Sequence, residues 1–260
     1  MRPTLFMETE MVRLMERREI LFRQMPQITR NCPEMIGRAL VIGASGGIGG
    51  ALSSALVATG NEVVEISRSR DGFDISDPGS VANSLANISG TFDRILVATG
   101  ILAPYAKRPE KALSDIDAED MARVFAVNAI GPALVLRHVT RLLPLKERAV
   151  VGVLTARVGS IGDNGFGGWY SYRASKAAAN QIVRTAAIEI ARKRKNAIVV
   201  ALHPGTVATS FTDEYPNHPK VSPGAAAKNI LAVLDGLDSS EDRKSTRLNS
   251  SHQIISYAVF

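Results

Sequence analysis

The chain predicts an α/β fold, a doubly wound parallel sheet with helices on both faces, in three layers and a single domain. Three observations carry this. From Arg38 onward, short runs rich in Val, Ile, Leu and Ala alternate with longer helical stretches, the pattern of strands buried beneath crossover helices. Each run is too short to be a buried helix. The 260 residues, 45% of them hydrophobic, suffice for one sizeable core, and doubly wound folds often run this long undivided.

In order, strands are expected at 38–42, 62–66, 93–98, 149–154 and 197–202. Helices are expected at 47–59, 78–87, 118–143, 170–194 and 223–235. The apolar stretch Ala39 to Gly60 is long enough to span a bilayer, but six glycines and three serines make it a strand, a turn and a helix. Leu134, Leu136, Leu142 and Leu143 read as core or interface positions.

Composition narrows the function classes. The single cysteine, Cys32, leaves no disulfide framework and no multi-thiolate metal site. It suits a reducing cytoplasm, the expected location, and no metal is expected. The net charge of +6 raises the question of nucleic acid, yet residues 36–240 hold 22 Lys+Arg against 18 Asp+Glu. Their densest basic cluster, Arg192 to Lys195, ends a predicted helix, where cations complement the helix dipole. Neither a nucleic-acid nor a membrane partner is expected.

The ends stand apart from the predicted domain, residues 36–240. Residues 1–35 are read as an N-terminal extension. They are too acidic for a transit peptide, with Glu8, Glu10, Glu16, Glu19 and Glu34. A helical arm and an upstream start codon chosen in error, with Met35 opening the protein, both account for them. Residues 242–252, D-R-K-S-T-R-L-N-S-S-H, read like the conceptual translation of a sequencing adapter. The tail 241–260 is therefore expected to be foreign and not to pack as a strand, the other reading being a natural polar tail with an apolar tip.

The first site is a phosphate cradle. Strand 38–42 runs into Gly43-Ala44-Ser45-Gly46-Gly47-Ile48-Gly49 and then a helix rich in Ala and Leu. Gly43 permits the tight turn, Gly47 lets main chain approach a pyrophosphate, and Gly49 lets the helix pack closely. The helix N-terminus offers free N–H groups to phosphates. The second strand reads the ribose. A dinucleotide reader for NAD usually ends it with an acid, whereas one for NADP supplies a cation. Here Ser67 takes the acid's place and Arg68 follows, so NADP is the expected cofactor. Glu65, on the same face as Ser67, leaves NAD open.

The second site is Tyr172-Arg173-Ala174-Ser175-Lys176, near the start of a predicted helix. A spacing of four puts Tyr172 and Lys176 on one helical face. A phenol, with an ordinary pKa of about 10, needs help to exchange protons at neutral pH. An ammonium at roughly 4–5 Å supplies at most about 4 kcal/mol toward that.

These motifs make residues 36–240 resemble the short-chain dehydrogenases/reductases, which have a Rossmann-like fold, and within them the C-factor-like and sniffer-like carbonyl reductases. The run Arg157 to Lys176, R-V-G-S-I-G-D-N-G-F-G-G-W-Y-S-Y-R-A-S-K, is its most specific part. The resemblance implies Tyr172 as general acid. It implies Lys176 as the residue that lowers the tyrosine pKa and binds the nicotinamide ribose, and Asn128 as holding a water that relays protons to Lys176. Asp74 and Ile75 would contact adenine. Ala98, Thr99 and Gly100 stand where the family's N-A-G loop lies, its Asn replaced. Pro204, Gly205, Val207 and Thr209, in H-P-G-T-V-A-T, would line the nicotinamide. One position departs. The family's serine, a hydrogen-bond donor to the substrate carbonyl, aligns with Ala156. Thr155 or Ser160 could substitute, and losing such a donor typically costs about 2.7–4 kcal/mol.

The function expected is hydride transfer between NADP(H) and a small-molecule carbonyl or alcohol, with Tyr172 as general acid/base; a homodimer is compatible with it. The alternative is a catalytically impaired protein that senses nucleotide or binds a partner on the same fold.

Overall fold

The structure, a computed structural model, describes residues 37–104, 107–214 and 219–237. The expectations for the extension 1–35 and the tail 241–260 lie outside them. Five strands form one parallel sheet in the order β2-β1-β3-β4-β5: β1 Arg38–Ile42, β2 Glu62–Ile66, β3 Arg94–Val97, β4 Ala149–Leu154 and β5 Ala197–Leu202. The helices are α1 Gly47–Ala58, α2 Pro78–Ala86, α3 Ala118–Phe125, α4 Gly131–Val139, α5 Tyr170–Lys193 and α6 Pro223–Gly236.

Alternation along the strands sorts side chains into two cores. Leu40, Ile42, Ile95, Val97, Val151 and Val153 pack against α2, α4 and α5 through Val81, Leu85, Val135, Val183 and Ile190. Ala39, Val41, Leu96, Val150 and Val200 face α1 and α6 through Leu52, Leu56, Ile230 and Leu234. Each fully buried aliphatic side chain of this kind contributes about 1.5–3 kcal/mol, and the two faces together hold three layers. β4 is buried along its length, whereas β2, at the edge, exposes Glu62. Within β4, Gly152 leaves room for two leucines, since a Cβ there would lie 2.6 Å from Leu202 Cδ1 and 3.1 Å from Leu96 Cδ2 and would oblige those side chains to shift. Side-chain caps start two of the helices. The Asp77 carboxylate accepts from the N–H groups of Gly79 and Ser80, ahead of Pro78, and the Ser222 hydroxyl accepts from that of Ala225, ahead of Pro223.

The helix expected over 118–143 is broken. Residues Ala126–Ile130 form a π turn between α3 and α4, and Thr140–Leu142 a 3₁₀ turn. Pro132 explains the slip: it has no N–H to give the Asn128 carbonyl, and Gly131 instead bonds back to Ala126, five residues earlier. The sequence reading also passed over a four-residue helical turn, Arg68–Asp71, that follows β2.

Chain direction around the sheet reverses at β1, which lies between β2 and β3. The crevice beyond the carboxyl ends of β1 and β3 is where an open α/β sheet receives a ligand. The loops after β1, β3 and β5 come together there.

Candidate active site

The glycine loop is shaped by three contacts that exclude a side chain. Gly43 sits at φ +91°, and a Cβ on it would lie 3.0 Å from the carbonyl of Ala98 and from Thr99 Cγ2. A Cβ on Gly49 would lie 2.2 Å from the Gly43 oxygen, and one on Gly47 would lie 2.5 Å from Thr209 Cγ2. The loops after β1, β3 and β5 therefore meet at the start of α1. Ser45, Gly46 and Gly47 are exposed there, Ile48 is half-buried, and Gly46 caps α1 with no side-chain bond. The first N–H groups of a helix have no acceptor within it, and with no side-chain cap here they are available to an anion. Pro204 and Gly205 (φ +76°) open the loop after β5. Val207 is buried, and its segment is pinned by hydrogen bonds from Ala208 to Val221 and from Val221 to Thr206.

At the end of β2, Ser67 is buried and both its N–H and its hydroxyl donate to the Asp71 carboxylate, at 2.7 and 3.3 Å. Asp71 is an acid that the sequence reading missed, because only the helical turn brings it back to Ser67. Arg70 clasps Glu65 at 2.6 Å and Asp71 at 3.5 Å, and this pairing holds the Glu65 carboxyl below its ordinary range. Arg68 is exposed; its main-chain carbonyl accepts from the Gly72 N–H, and its guanidinium makes no hydrogen bond or ion pair among the described residues. The Asp74 carboxylate accepts from the hydroxyl and the N–H of Ser76, at 2.6 and 2.9 Å, and is held below its ordinary value by them and, more weakly, by Arg68. Ile75 is buried against Gly131.

Helix α5 places Tyr172 and Lys176 on one face, as their spacing implied. Both are almost fully buried, at 7% and 3% exposure. The Lys176 ammonium lies 5.8 Å from the Tyr172 ring centroid and donates to the Leu154 carbonyl at 3.0 Å, at the end of β4. The electrostatics correct one expectation. Burial raises the Tyr172 phenol above its ordinary value rather than lowering it, and burial draws Lys176 down to about 8. The physical reason is desolvation, which opposes charge on both groups, while the ammonium is engaged by a main-chain carbonyl. Trp169 meets the Tyr172 ring edge-on at 6.1 Å and Phe211 lies against it at 5.9 Å.

Asn128 is fully buried in the π turn. Its amide donates to the Ile101 carbonyl at 2.8 Å and to the Ser175 hydroxyl at 3.1 Å, and its oxygen accepts from the Ile101 N–H at 2.9 Å. The side chain thus ties the loop after β3 to α5. A Cβ on Gly100 would lie 3.3 Å from Lys176 Nζ and 3.4 Å from Asn128 Oδ1, so Gly100, Asn128 and Lys176 share one small space. The Thr99 hydroxyl and His203 Nδ1 are buried with no hydrogen-bond partner among the described residues, and burial, with the nearby Arg157, pulls His203 down to about 4.

The two candidate hydroxyls part company. Thr155 is buried, with its N–H donating to the Leu202 carbonyl at 2.7 Å and its hydroxyl directed to the same oxygen at 3.4 Å. Ser160 is half-buried, and its hydroxyl bonds to no described residue. It follows Gly159, whose missing Cβ lets the turn lie against Lys176, since a Cβ there would lie 2.9 Å from that of Lys176. Ala156 precedes that turn and is half-buried.

Comparison with known proteins agrees with this geometry. A family model described as enoyl-(acyl carrier protein) reductase matches residues 43–234. The chain is 33% identical over 211 residues to a 1-hydroxy-2-glutathionyl-2-methyl-3-butene dehydrogenase of Rhodococcus sp. (strain AD45), covering 76% of this chain and 90% of that one. It is 39% identical over 130 residues to the C-signal protein of Myxococcus xanthus, covering 49% and 74%. Among solved structures, the fold is similar to NADPH-bound carbonyl reductase from chicken fatty liver (TM-score 0.68, 22% identity, 79% and 89% covered). It is also similar to carbonyl reductase Sniffer of D. melanogaster (TM-score 0.64, 18% identity, 79% and 94% covered). With the glycine cradle, the Tyr172–Lys176 helix and a family match across the domain, the chain belongs to the short-chain dehydrogenase/reductase family of oxidoreductases.

Proposed function

We propose that the chain is an NADP(H)-dependent carbonyl reductase, moving hydride reversibly between the cofactor and a carbonyl or alcohol, with Tyr172 as general acid/base. The observation that carries this is the convergence of Tyr172, Lys176, Asn128 and Gly100 beside the loop that meets the glycine cradle. Bound NADPH supplies the hydride. In this reading the first turn of α1 and Ser45 to Gly47 hold its pyrophosphate, Asp74 and Ile75 its adenine, Ala98 to Gly100 and Lys176 the nicotinamide ribose, and Pro204 to Thr209 the carboxamide.

The choice of NADP rests on charge. Both acids near the ribose site, Glu65 and Asp71, are already clasped by Arg70, which leaves Arg68 for a 2′-phosphate. Tyr172 gives its proton to the substrate oxygen as hydride reaches the carbonyl carbon, a transfer that suits a phenol favouring its neutral form. Lys176, near 8, can return that proton at neutral pH, with a water beside Asn128 completing the path. Ser160, whose hydroxyl is uncommitted, is the better replacement for the family serine. Fluorescence titration with NADPH and NADH, then NADPH oxidation with a panel of aldehydes, ketones and quinones, tests the proposal. Binding without turnover of any carbonyl would favour the second reading, a nucleotide sensor, which Ala156 in the serine's place supports.

A further inference from the structure

The catalytic helix begins without a cap of its own. Its N-cap residue, Trp169, is the one non-glycine residue at positive φ (+54°) among the described residues, and its side chain offers no capping bond. A left-handed bulky residue is strained unless its surroundings hold it, and the first N–H groups of a helix need acceptors. Both needs are met from another segment. The Glu110 main-chain carbonyl accepts from the Trp169 N–H at 2.6 Å. Its carboxylate accepts from the Ser171 N–H at 3.3 Å and from the Ser171 hydroxyl. An anion at this end also complements the helix dipole. Gly168 (φ +64°) lets the chain pass close to the Glu110 carbonyl, 3.4 Å from where its Cβ would be.

We propose that Glu110 is a positioning residue for the Tyr172 proton donor, a cap supplied from a distant loop that sets the first turn of α5. Trp169 transmits the effect, since its ring meets Tyr172 edge-on one turn into the helix. The proposal rests on Tyr172 being the acid, as argued above. Glu110 touches neither cofactor nor substrate in this scheme.

Trp169 is the only tryptophan in the chain, so its emission reports this turn directly. Glu110→Ala is expected to lower kcat by roughly tenfold or more, the cost of slight misplacement of a reacting group, with the KM for NADPH unchanged. Trp169 emission should shift to the red and become easier to quench with acrylamide. Glu110→Gln keeps an acceptor for the Ser171 N–H and should restore kcat to within about threefold of the parent. Should Glu110→Ala be insoluble, Ser171→Ala, which removes one of the bonds, is expected to show the same changes at smaller size. Unchanged kcat and emission in these variants would overturn the proposal. So would a fall in kcat that Glu110→Gln does not rescue, or one matched by loss of cofactor affinity. A parent protein that turns over no carbonyl would instead defeat the functional reading. The emission measurements would then decide on their own whether Glu110 holds the turn.

Discussion

Lys176 donates to the Leu154 carbonyl at 3.0 Å while its ammonium stands 5.8 Å from the Tyr172 ring. A strand end thus fixes the charge that faces the phenol. Because both groups are nearly inaccessible to water, their proton equilibria are governed by burial, and this has consequences for stability as well as chemistry.

The Lys176 value of about 8 in the folded chain lies below that of the unfolded one. Between about pH 8 and 10.5 the unfolded chain holds a proton that the folded chain has released, so stability rises with pH across that window. Below pH 8 the full penalty of a buried cation is present, up to roughly 3 kcal/mol at 1.36 kcal/mol per pKa unit. Lys176→Met should therefore abolish turnover yet be more stable than the parent at pH 7, with the gap closing as pH approaches about 10. Urea-unfolding midpoints at the two pH values check this. A variant less stable at pH 7 would mean that the bond to Leu154 outweighs the desolvation.

His203 acts with the same sign in an acid window. With its folded value near 4, below the unfolded value, it is neutral in the native state, and stability is lost as pH falls from about 6.5 toward 4. His203→Asn should flatten that part of the profile, as read by melting temperature between pH 4 and 7. An unaltered profile would place the acid sensitivity elsewhere.

Arg68 and Arg70 should separate cleanly in cofactor titrations. Arg68→Ala is expected to weaken NADPH by about tenfold, as loss of a charge-assisted contact to phosphate would, and leave NADH unchanged. Arg70→Ala releases Glu65 and Asp71 from their pairing and should weaken NADPH through their repulsion. Equal affinity of the parent for the two cofactors would remove the basis for both expectations.

For the carbonyl-binding hydroxyl, Ser160→Ala should reduce kcat by roughly a hundredfold or more if Ser160 donates to the substrate. Thr155→Val should act mainly on stability, since its hydroxyl is directed to the Leu202 carbonyl. The reverse pattern would assign the role to Thr155.

Much of this was legible in the chain. All five strands follow from short runs rich in Val, Ile, Leu and Ala, continuous where burial on both faces demands it, as in β4, and interrupted by Glu62 and Glu65 in edge strand β2, and the cradle follows from its glycines. The π turn at Asn128 was not read, although Gly131-Pro132 in mid-helix was the signal for it. Three other features had none. Asp71 reaches Ser67 only through a four-residue turn, Glu110 caps a helix sixty-one residues away, and Phe211 reaches Tyr172 only once the loop after β5 folds over. Tertiary burial, invisible to spacing, also reversed the expected direction of the Tyr172 pKa.

The most direct test of the central claim is a comparison of Tyr172→Phe with the parent, using a carbonyl found active in the panel. Only the transferable proton and its oxygen are removed, and the ring contacts with Trp169 and Phe211 can persist. Turnover should fall by at least about a hundredfold, the usual contribution of a general acid, while NADPH affinity by fluorescence titration stays within about twofold. Turnover that survives the substitution would contradict the assignment of Tyr172 as the proton donor.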